Sequence, residues 1–127
     1  MLQVTDLVLH KGDFTLGKLS LEVPEQSYFV ILGRTGSGKT LLLESIAGLQ
    51  QIQGEIHFDG VEISGEFPEQ RGFGFVYQDL ALFPHMSVED NIRFASRFRE
   101  VEGLEALYAD VTGFLEIEGC CIGVSLI

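Results

Sequence analysis

Eight consecutive residues, Gly33–Thr40, carry the pattern with the most specific chemistry in this chain. They read G-R-T-G-S-G-K-T, which matches a phosphate-binding loop: glycine, four residues, glycine, lysine, then serine or threonine. The glycines permit backbone angles closed to other residues, so that successive N–H groups can converge on anionic oxygens. The Lys39 ammonium can reach the β- and γ-phosphates of a nucleotide, and the Thr40 hydroxyl can bind Mg²⁺. The residues predicted to contact the nucleotide are Gly33, Arg34, Thr35, Gly36, Ser37, Gly38, Lys39, Thr40 and Leu41.

The segments on either side of this loop must position it. Tyr28–Leu32 is apolar throughout, which predicts a strand covered on both faces of a largely parallel sheet. After the loop, Leu42, Ile46 and Leu49 recur at helical spacing and predict a helix of about ten residues that ends near Gly48. Such a helix directs its positive amino end at the phosphates. The alternative is a glycine-rich turn that happens to contain a lysine, and the order strand, loop, helix favours phosphate binding.

Further elements follow from the spacing of apolar and turn residues. Four more short runs predict strands: Leu2–Leu9, Phe14–Val23, Gly54–Phe58 and Phe73–Tyr77. Ser87, with Asp90 three residues later, predicts the amino end of a helix. The apolar face of that helix would contain Val88, Ile92, Ala95 and Phe98, and a second helix would use Leu104, Leu107, Val111 and Leu115. Together these elements predict an α/β fold.

Composition limits the class of protein and its partners. At 127 residues and 46% hydrophobic content, the chain is long enough for one domain with a core. Its net charge of -11 excludes nucleic acid as a non-specific partner, because phosphate contacts need Lys or Arg. Without an apolar run of about 18 residues or a leader-like N-terminus, we expect a soluble, unexported protein. Cys120 and Cys121 are adjacent, which disfavours a disulfide between them and predicts reduced thiols.

The stretch from Arg71 to Ile92, R-G-F-G-F-V-Y-Q-D-L-A-L-F-P-H-M-S-V-E-D-N-I, resembles the glutamine-loop region of bacterial and archaeal ATP-binding-cassette (ABC) importer ATPases. With the phosphate loop, the resemblance spans Leu2 to about Leu115. It implies the phosphate-loop NTPase fold of the N-terminal part of an ABC ATPase, incomplete and with an antiparallel β subdomain. It also implies ATP and Mg²⁺ as cofactors, a cytoplasmic location at the inner face of the membrane, an ATPase dimer in complete members, and a permease contact through the loop after Gln78.

The resemblance assigns roles to two more residues. Gln78 matches the glutamine that contacts Mg²⁺ and the attacking water, and its neutral amide suits both tasks. An ordinary polar residue ending a strand is the alternative. Phe14 is the aromatic residue in the turn where the family stacks a ring on adenine, and a core residue that starts a strand is its alternative. Members often have serine then threonine after the lysine, whereas this chain has Thr40 then Leu41, which leaves the Mg²⁺ ligand intact but puts one α-phosphate contact in doubt.

Three motifs of a complete cassette ATPase are missing from the sequence: the Leu-Ser-Gly-Gly-type signature, the apolar strand ending in Asp-Glu, and the late histidine. His85 lies too early to be that histidine, and Phe114–Glu118 lacks the Asp-Glu pair. Hydrolysis would therefore lack its water-orienting carboxylate. We expect residues 1–118 to form a partial ABC ATPase domain with an atypical tail at 119–127, that is, a truncated member.

The resemblance implies energy coupling for the import of a small solute, and the compact N-terminal region resembles the molybdate and tungstate branch. Two other function classes remain open. One is a nucleotide-binding or inert remnant without turnover. The other is a different phosphate-loop enzyme, such as a small-molecule kinase, although no acceptor site is identifiable in the sequence.

Overall fold

The computed structural model describes residues 1–79, 81–98, 101–117 and 119. The chain divides into two compact units, which we name the N-terminal unit (Met1–Phe75) and the C-terminal unit (Val76–Ile127). Of the predicted tail at 119–127, the residues after Gly119, which include Cys120 and Cys121, lie outside the described residues.

An antiparallel sheet forms one side of the N-terminal unit, as predicted. Its strands have the order β2-β1-β3-β4. Their bounds are β1 Leu2–Lys11, β2 Phe14–Val23, β3 Gln53–Phe58 and β4 Val61–Glu62. β1 is the central partner, because Leu2 pairs with Val23 on one side and with Phe58 on the other. The predictions of strands at 2–9, 14–23 and 54–58 are confirmed.

A bulge in β1 decides which side chains enter the core. Asp6 has φ 53, and the register to both neighbouring strands shifts between Val4 and the residues after Asp6. An extra residue in a strand reverses the alternation of faces. Val4 and Leu7 are three residues apart, yet both are buried on the same side of the sheet, together with Ile56.

Two helices complete the N-terminal unit: α1 Lys39–Ile46 and α2 Pro68–Arg71. The helix predicted after the loop is confirmed, but it is shorter than expected, since Leu49 lies beyond its end and is exposed. Leu42 is the α1 side chain that joins the core cluster of Val4, Leu7, Ile56 and Ile63. α2 was not predicted from the sequence.

The C-terminal unit contains α3 Val88–Ile92, a 3-10 turn Phe94–Arg97, and α4 Leu104–Phe114. The predicted start at Ser87 is confirmed, because its hydroxyl accepts a hydrogen bond from the Asp90 N–H at 3.0 Å. The expected single helix to Phe98 is wrong, since the α-helical part ends at Ile92. α4 exists where predicted, but three residues of its expected core face are exposed: Leu107, Val111 and Leu115.

Two strand predictions are wrong: neither Tyr28–Leu32 nor Phe73–Tyr77 is a strand. A strand exists only through hydrogen bonds to a neighbour, and every strand in the described residues pairs within the antiparallel sheet. Tyr28 is 97% exposed and Leu32 is 88% exposed. The continuous apolar run that predicted a central parallel strand is present, but the described residues supply no flanking strand to pair with it.

No helix in the described ranges is long and apolar enough to span a membrane.

Candidate phosphate-binding site

The backbone of the loop has the conformation that its glycines were expected to allow. Gly36 has φ 81, and Gly38 has φ 88 and ψ 13, in the left-handed region. Gly38 must also be small, because a Cβ at this position would come within 2.9 Å of the Phe14 ring. At Gly33 a Cβ would come within 2.6 Å of the Ser37 hydroxyl oxygen. Side chains at Gly33 and Gly38 would therefore collide with their neighbours, so that glycine allows the loop backbone to form a compact cradle.

The Lys39 ammonium already lies at this loop. Its Nζ donates hydrogen bonds to the carbonyl oxygens of Gly33 at 2.8 Å and Arg34 at 2.9 Å. An ammonium has three protons, so one donor remains for an anionic oxygen. The Ser37 N–H donates to the Arg34 carbonyl at 3.1 Å and tightens the same turn. Two hydrogen bonds to the loop backbone thus hold the Lys39 charge beside the loop.

The amino end of α1 faces the same loop. α1 begins at Lys39, directly after Gly38, with no side-chain cap and no acidic residue in its first turn. The first N–H groups of a helix have no intrahelical acceptor, and they carry the positive end of the helix dipole. An anion can take the place of the missing cap. Thr40 lies in this first turn and is exposed, so its hydroxyl is available to a ligand.

Local charge favours an anion even though the chain as a whole is acidic. Residues 33–41 contain Arg34 and Lys39 and no aspartate or glutamate, whereas the complete chain has a net charge of -11. Charges within a few ångströms dominate over the screened charges farther away. The cradle, its two cations and the uncapped helix end fit a polyphosphate with its magnesium ion.

Phe14 lies beside the loop. It is the first residue of β2 and is half-buried, and its ring and the Leu16 side chain border the space in which a Cβ of Gly38 would lie. This position places an aromatic ring next to the phosphate cradle, at the start of a strand. Both roles considered for Phe14, stacking and packing, are compatible with it.

Gln78 is exposed and lies in a turn with Asp79 in the C-terminal unit. Its contacts to Mg²⁺ and water remain predictions.

Two residues whose side chains hydrogen-bond to the backbone of other segments were not predicted from the sequence. Asn91 accepts a hydrogen bond from the Phe83 N–H at 2.8 Å and donates to the carbonyls of Phe83 and Ser87, both at 3.0 Å. Arg71 is 6% exposed, and its guanidinium donates to backbone carbonyls of two separate segments. Neither role was predicted, because most of these contacts join residues that no helical or strand period brings together, and only the Asn91 contact to Ser87 has helical spacing.

Comparison with protein families gives a match to the ABC transporter model over residues 16–116. The molybdate/tungstate import ATP-binding protein WtpC of Pyrococcus abyssi is 41% identical over 106 residues, which cover 83% of this chain and 31% of the relative. The sulfate/thiosulfate import ATP-binding protein CysA of Escherichia coli is 43% identical, over 80% of this chain and 29% of the relative. The spermidine/putrescine import ATP-binding protein PotA of Nitrosomonas eutropha is 38% identical over 83% of this chain.

Solved structures confirm the predicted fold class. A dimeric ATP-binding cassette in a post-hydrolysis state, bound to ADP and Pi, matches with a TM-score of 0.76 and 21% identity. The match covers 95% of this chain and 60% of that structure. The chain therefore spans less than two thirds of the solved cassette and about 30% of the length of the curated relatives it matches.

Proposed function

This chain belongs to the ABC transporter family, and we propose that it binds MgATP at Gly33–Thr40 as the nucleotide-binding part of an import ATP-binding subunit. The observation that carries the proposal is the loop itself. Its glycines Gly36 and Gly38 have positive φ angles, its lysine lies against the loop carbonyls, and an uncapped helix begins where the loop ends. These features together suit a polyphosphate better than a carboxylate or a neutral ligand.

Different residues of the loop would bind different parts of MgATP. Backbone N–H groups of Gly36, Gly38 and Lys39 would surround the β-phosphate, because the two glycines have no side chain where the oxygens approach. The remaining Lys39 proton would bind the β- and γ-phosphate oxygens. The Thr40 hydroxyl would hold Mg²⁺, which neutralises charge on the phosphates and orients them. Positioning of this kind supplies most of what a protein contributes to phosphoryl transfer.

Two residues outside the loop have proposed roles that follow from the family resemblance. Phe14 borders Gly38, and we assign its ring to the adenine base. Gln78 is assigned to Mg²⁺ and to the water that attacks the γ-phosphate. Leu41, which follows Thr40, replaces the hydroxyl that would reach the α-phosphate in many relatives, so that contact falls to backbone groups.

The proposed biological role is to energise solute import. The complete protein would work as a dimer of ATPase subunits at the cytoplasmic face of a membrane, in contact with a permease through the loop after Gln78. The names of the relatives give molybdate or tungstate, sulfate or thiosulfate, and polyamines as solutes. We therefore propose a small solute and do not select one among these.

The test of MgATP binding is a pair of lysine variants. Lys39→Ala should weaken MgATP binding on the order of a hundred-fold, because it removes charge-assisted hydrogen bonds worth about 1.5–3 kcal/mol. Lys18→Ala is the matched control, since Lys18 is an exposed β2 lysine paired with Asp6 at 2.9 Å, outside the loop. Titration calorimetry of both variants measures the difference. Equal MgATP affinity of Lys39→Ala and the parent would remove the basis for the proposal.

A turnover measurement addresses the second class left open by the sequence, nucleotide binding without hydrolysis. The chain has no apolar strand ending in Asp-Glu, so we expect MgATP binding without sustained phosphate release. Phosphate release should be measured on a monodisperse preparation of the parent and of Lys39→Ala. Sustained Mg²⁺-dependent release that Lys39→Ala abolishes would show that another group orients the water.

A further inference from the structure

Arg71 is the most buried charged residue among those described, and it lies in the N-terminal unit at the end of α2. Its guanidinium donates four hydrogen bonds to backbone carbonyls. The Nη1 donates to Ser45 at 3.0 Å and Ile46 at 2.9 Å, the Nη2 to Ser64 at 2.8 Å, and the Nε to Glu66 at 3.0 Å. The planar guanidinium thus joins two chain segments that are about twenty residues apart in sequence.

One of these segments is the carboxyl end of α1, the helix that begins at the phosphate loop. Ser45 and Ile46 are the last two residues of α1. The last carbonyls of a helix carry its negative dipole end and lack intrahelical donors. α1 has no basic residue of its own in this last turn. Arg71 therefore supplies from a distant part of the chain the cation that this helix end lacks.

Gly48 makes room for the guanidinium. α1 ends in a tight turn in which the Gly48 N–H donates to Ser45 at 3.1 Å and the Leu49 N–H to Glu44 at 2.8 Å. Gly48 has φ 87, and a Cβ there would come within 2.8 Å of the Arg71 Nε. The helix end and the arginine are packed against each other without space for a side chain between them.

Burial of this charge carries a cost that the contacts must offset. Desolvation lowers the pKa of the Arg71 guanidinium from its ordinary value, and the Glu66 charge opposes that shift. Arginine nevertheless stays charged at any physiological pH. No carboxylate forms an ion pair with Arg71 among the described residues. The charge is therefore compensated by hydrogen bonds to carbonyls of the two segments that it joins.

α1 has few other attachments. Only Leu42 and Ser45 of its residues are buried, and Leu43 is exposed. The Ser45 hydroxyl donates to Leu41 within the same helix, so it adds no tie to the rest of the unit. The points that hold this helix in place are therefore Leu42 in the core, Ile46 packed against the core and Arg71 at the carboxyl end, with a longer Lys11–Glu44 ion pair of 3.9 Å. An eight-residue helix is about 12 Å long, so movement at one end changes the direction of the other.

On the basis of the proposed MgATP site, we infer that Arg71 is a positioning residue for phosphate binding: its guanidinium fixes the carboxyl end of α1 to the Ser64–Glu66 segment and so aims the amino end of α1 at the phosphates. Arg71 would then influence the geometry of the phosphate loop through α1, although it touches no ligand itself. Displacement of binding groups by about 1 Å is enough to weaken a preorganised site strongly.

The test uses Arg71→Met, which keeps much of the side-chain volume but has no donors, and Arg71→Lys, which keeps the charge on a single nitrogen. We expect Arg71→Met to bind MgATP roughly ten-fold more weakly than the parent. Arg71→Lys should fall between them, because one ammonium cannot reach carbonyls of both segments in the planar arrangement. Val4→Ala is the control, since it removes core volume at the opposite end of β1 from the Phe14 turn. Because Val4 packs in the same core cluster as Leu42 but makes no contact with the carboxyl end of α1 through Arg71, Val4→Ala should lower the unfolding temperature and weaken MgATP binding less than Arg71→Met does.

Hydrogen exchange without nucleotide provides the second readout. Arg71→Met should speed amide exchange in residues 42–48 and leave β1 unchanged, whereas Val4→Ala should speed exchange in β1 as well. A parent that fails to bind MgATP would refute the proposed function, and the exchange pattern alone would then decide whether Arg71 fixes α1. Unchanged exchange in residues 42–48, or equal MgATP losses in Arg71→Met and Val4→Ala, would overturn the inference.

Discussion

The two units of this chain are stabilised in different ways. All seven buried apolar residues among those described lie in the N-terminal unit: Val4, Leu7, Leu9, Leu42, Ala47, Ile56 and Ile63. The described part of the C-terminal unit contains one buried side chain, Thr112. Its contacts are instead polar and aromatic, such as the bidentate Arg93–Glu105 pair at 2.7 and 2.9 Å.

The two units therefore fix their predicted functional groups by different kinds of contact, apolar packing in one and polar contacts in the other. Apolar burial around β1 and Leu42 fixes the helix that follows the phosphate loop, and such packing depends little on pH or salt. In the C-terminal unit, hydrogen bonds through Asn91 and ion pairs of Arg93 and Arg97 fix the loop from Phe83 to Ser87 and the helices beside it. Exposed polar contacts of this kind are individually weak. The loop that the family resemblance assigns to the permease is therefore held by the weaker kind of contact.

The largest effect should come from a matched pair of leucine substitutions, one in each unit. Leu7→Ala should lower the free energy of unfolding by about 3 kcal/mol, because Leu7 is 0% exposed and its truncation leaves a cavity. Leu107→Ala on α4 should lower it by less than about 1 kcal/mol, because Leu107 is 52% exposed. Chemical denaturation followed by circular dichroism measures both. Similar losses at the two sites would mean that the units do not differ in this way.

The second effect concerns the ring beside the phosphate loop. Phe14→Ala should weaken ATP binding roughly ten-fold through lost stacking and weaken tripolyphosphate binding much less. Phe58→Ala is the control, because Phe58 is an aromatic residue of β3 whose ring packs on Phe73 at 5.0 Å. Calorimetry with both ligands separates the two roles. Equal losses for ATP and tripolyphosphate would show that Phe14 supports Gly38 and does not bind the base.

A smaller effect is expected at Asn91, where an aspartate would replace the side-chain amide nitrogen with an oxygen. Asn91→Asp keeps the acceptor for the Phe83 N–H but removes the donors to the Phe83 and Ser87 carbonyls, at a cost of about 1 kcal/mol. Amide exchange in residues 83–87 should therefore become faster, while β1–β3 stay protected. Gln53→Glu, the same amide-to-acid change at an exposed β3 position, is the control. Unchanged exchange in residues 83–87 would show that Asn91 does not organise this loop.

The smallest effect is a response of the C-terminal unit to acid. A hydrogen bond from the Ser87 hydroxyl, with the Arg97 charge, lowers the pKa of Asp90 below its ordinary 3.8. The hydrogen bond from Arg93 lowers the pKa of Glu105 below its ordinary 4.5. Folding is therefore favoured fully above these ordinary values, and the contribution is lost as pH falls through the lower folded-state values.

Amide exchange in 88–97, measured during acid titration, should become faster at a higher pH than exchange in β1. Asp90→Asn should reduce this difference, because it removes one of the titrating groups, and high salt should reduce it by screening. Identical acid midpoints for both units would contradict the expectation.

Local sequence was sufficient for the elements whose geometry is set by neighbouring residues. β2 has the predicted bounds, and α1 begins inside the glycine-rich pattern and ends at Ile46, two residues before the predicted glycine. The start of α3 follows from Ser87 and Asp90, which are three residues apart and bond to each other. In each case the contacts that form the element lie within one turn or one strand, so that residue types and spacing determine them.

Prediction failed where a segment depends on partners elsewhere in the chain. Tyr28–Leu32 has the composition of a buried strand but no neighbouring strand among the described residues, and α4 has an apolar face of which much is exposed. The bulge at Asp6 also changed the burial pattern of β1, since strict alternation would place Val4 and Leu7 on opposite faces. The composition of a segment shows which of its side chains could be buried, but it does not show which other segment buries them.

The sequence by itself determined the phosphate loop, since the backbone angles of Gly36 and Gly38 and the charge of Lys39 are properties of those residues. Tertiary structure decided what surrounds the loop. It placed Phe14 against Gly38 and Arg71 against the far end of α1, although these pairs lie more than twenty residues apart in the chain. The physical reason is that backbone conformation is a local property of each residue, whereas packing and buried hydrogen bonds depend on distances in space that sequence spacing does not encode.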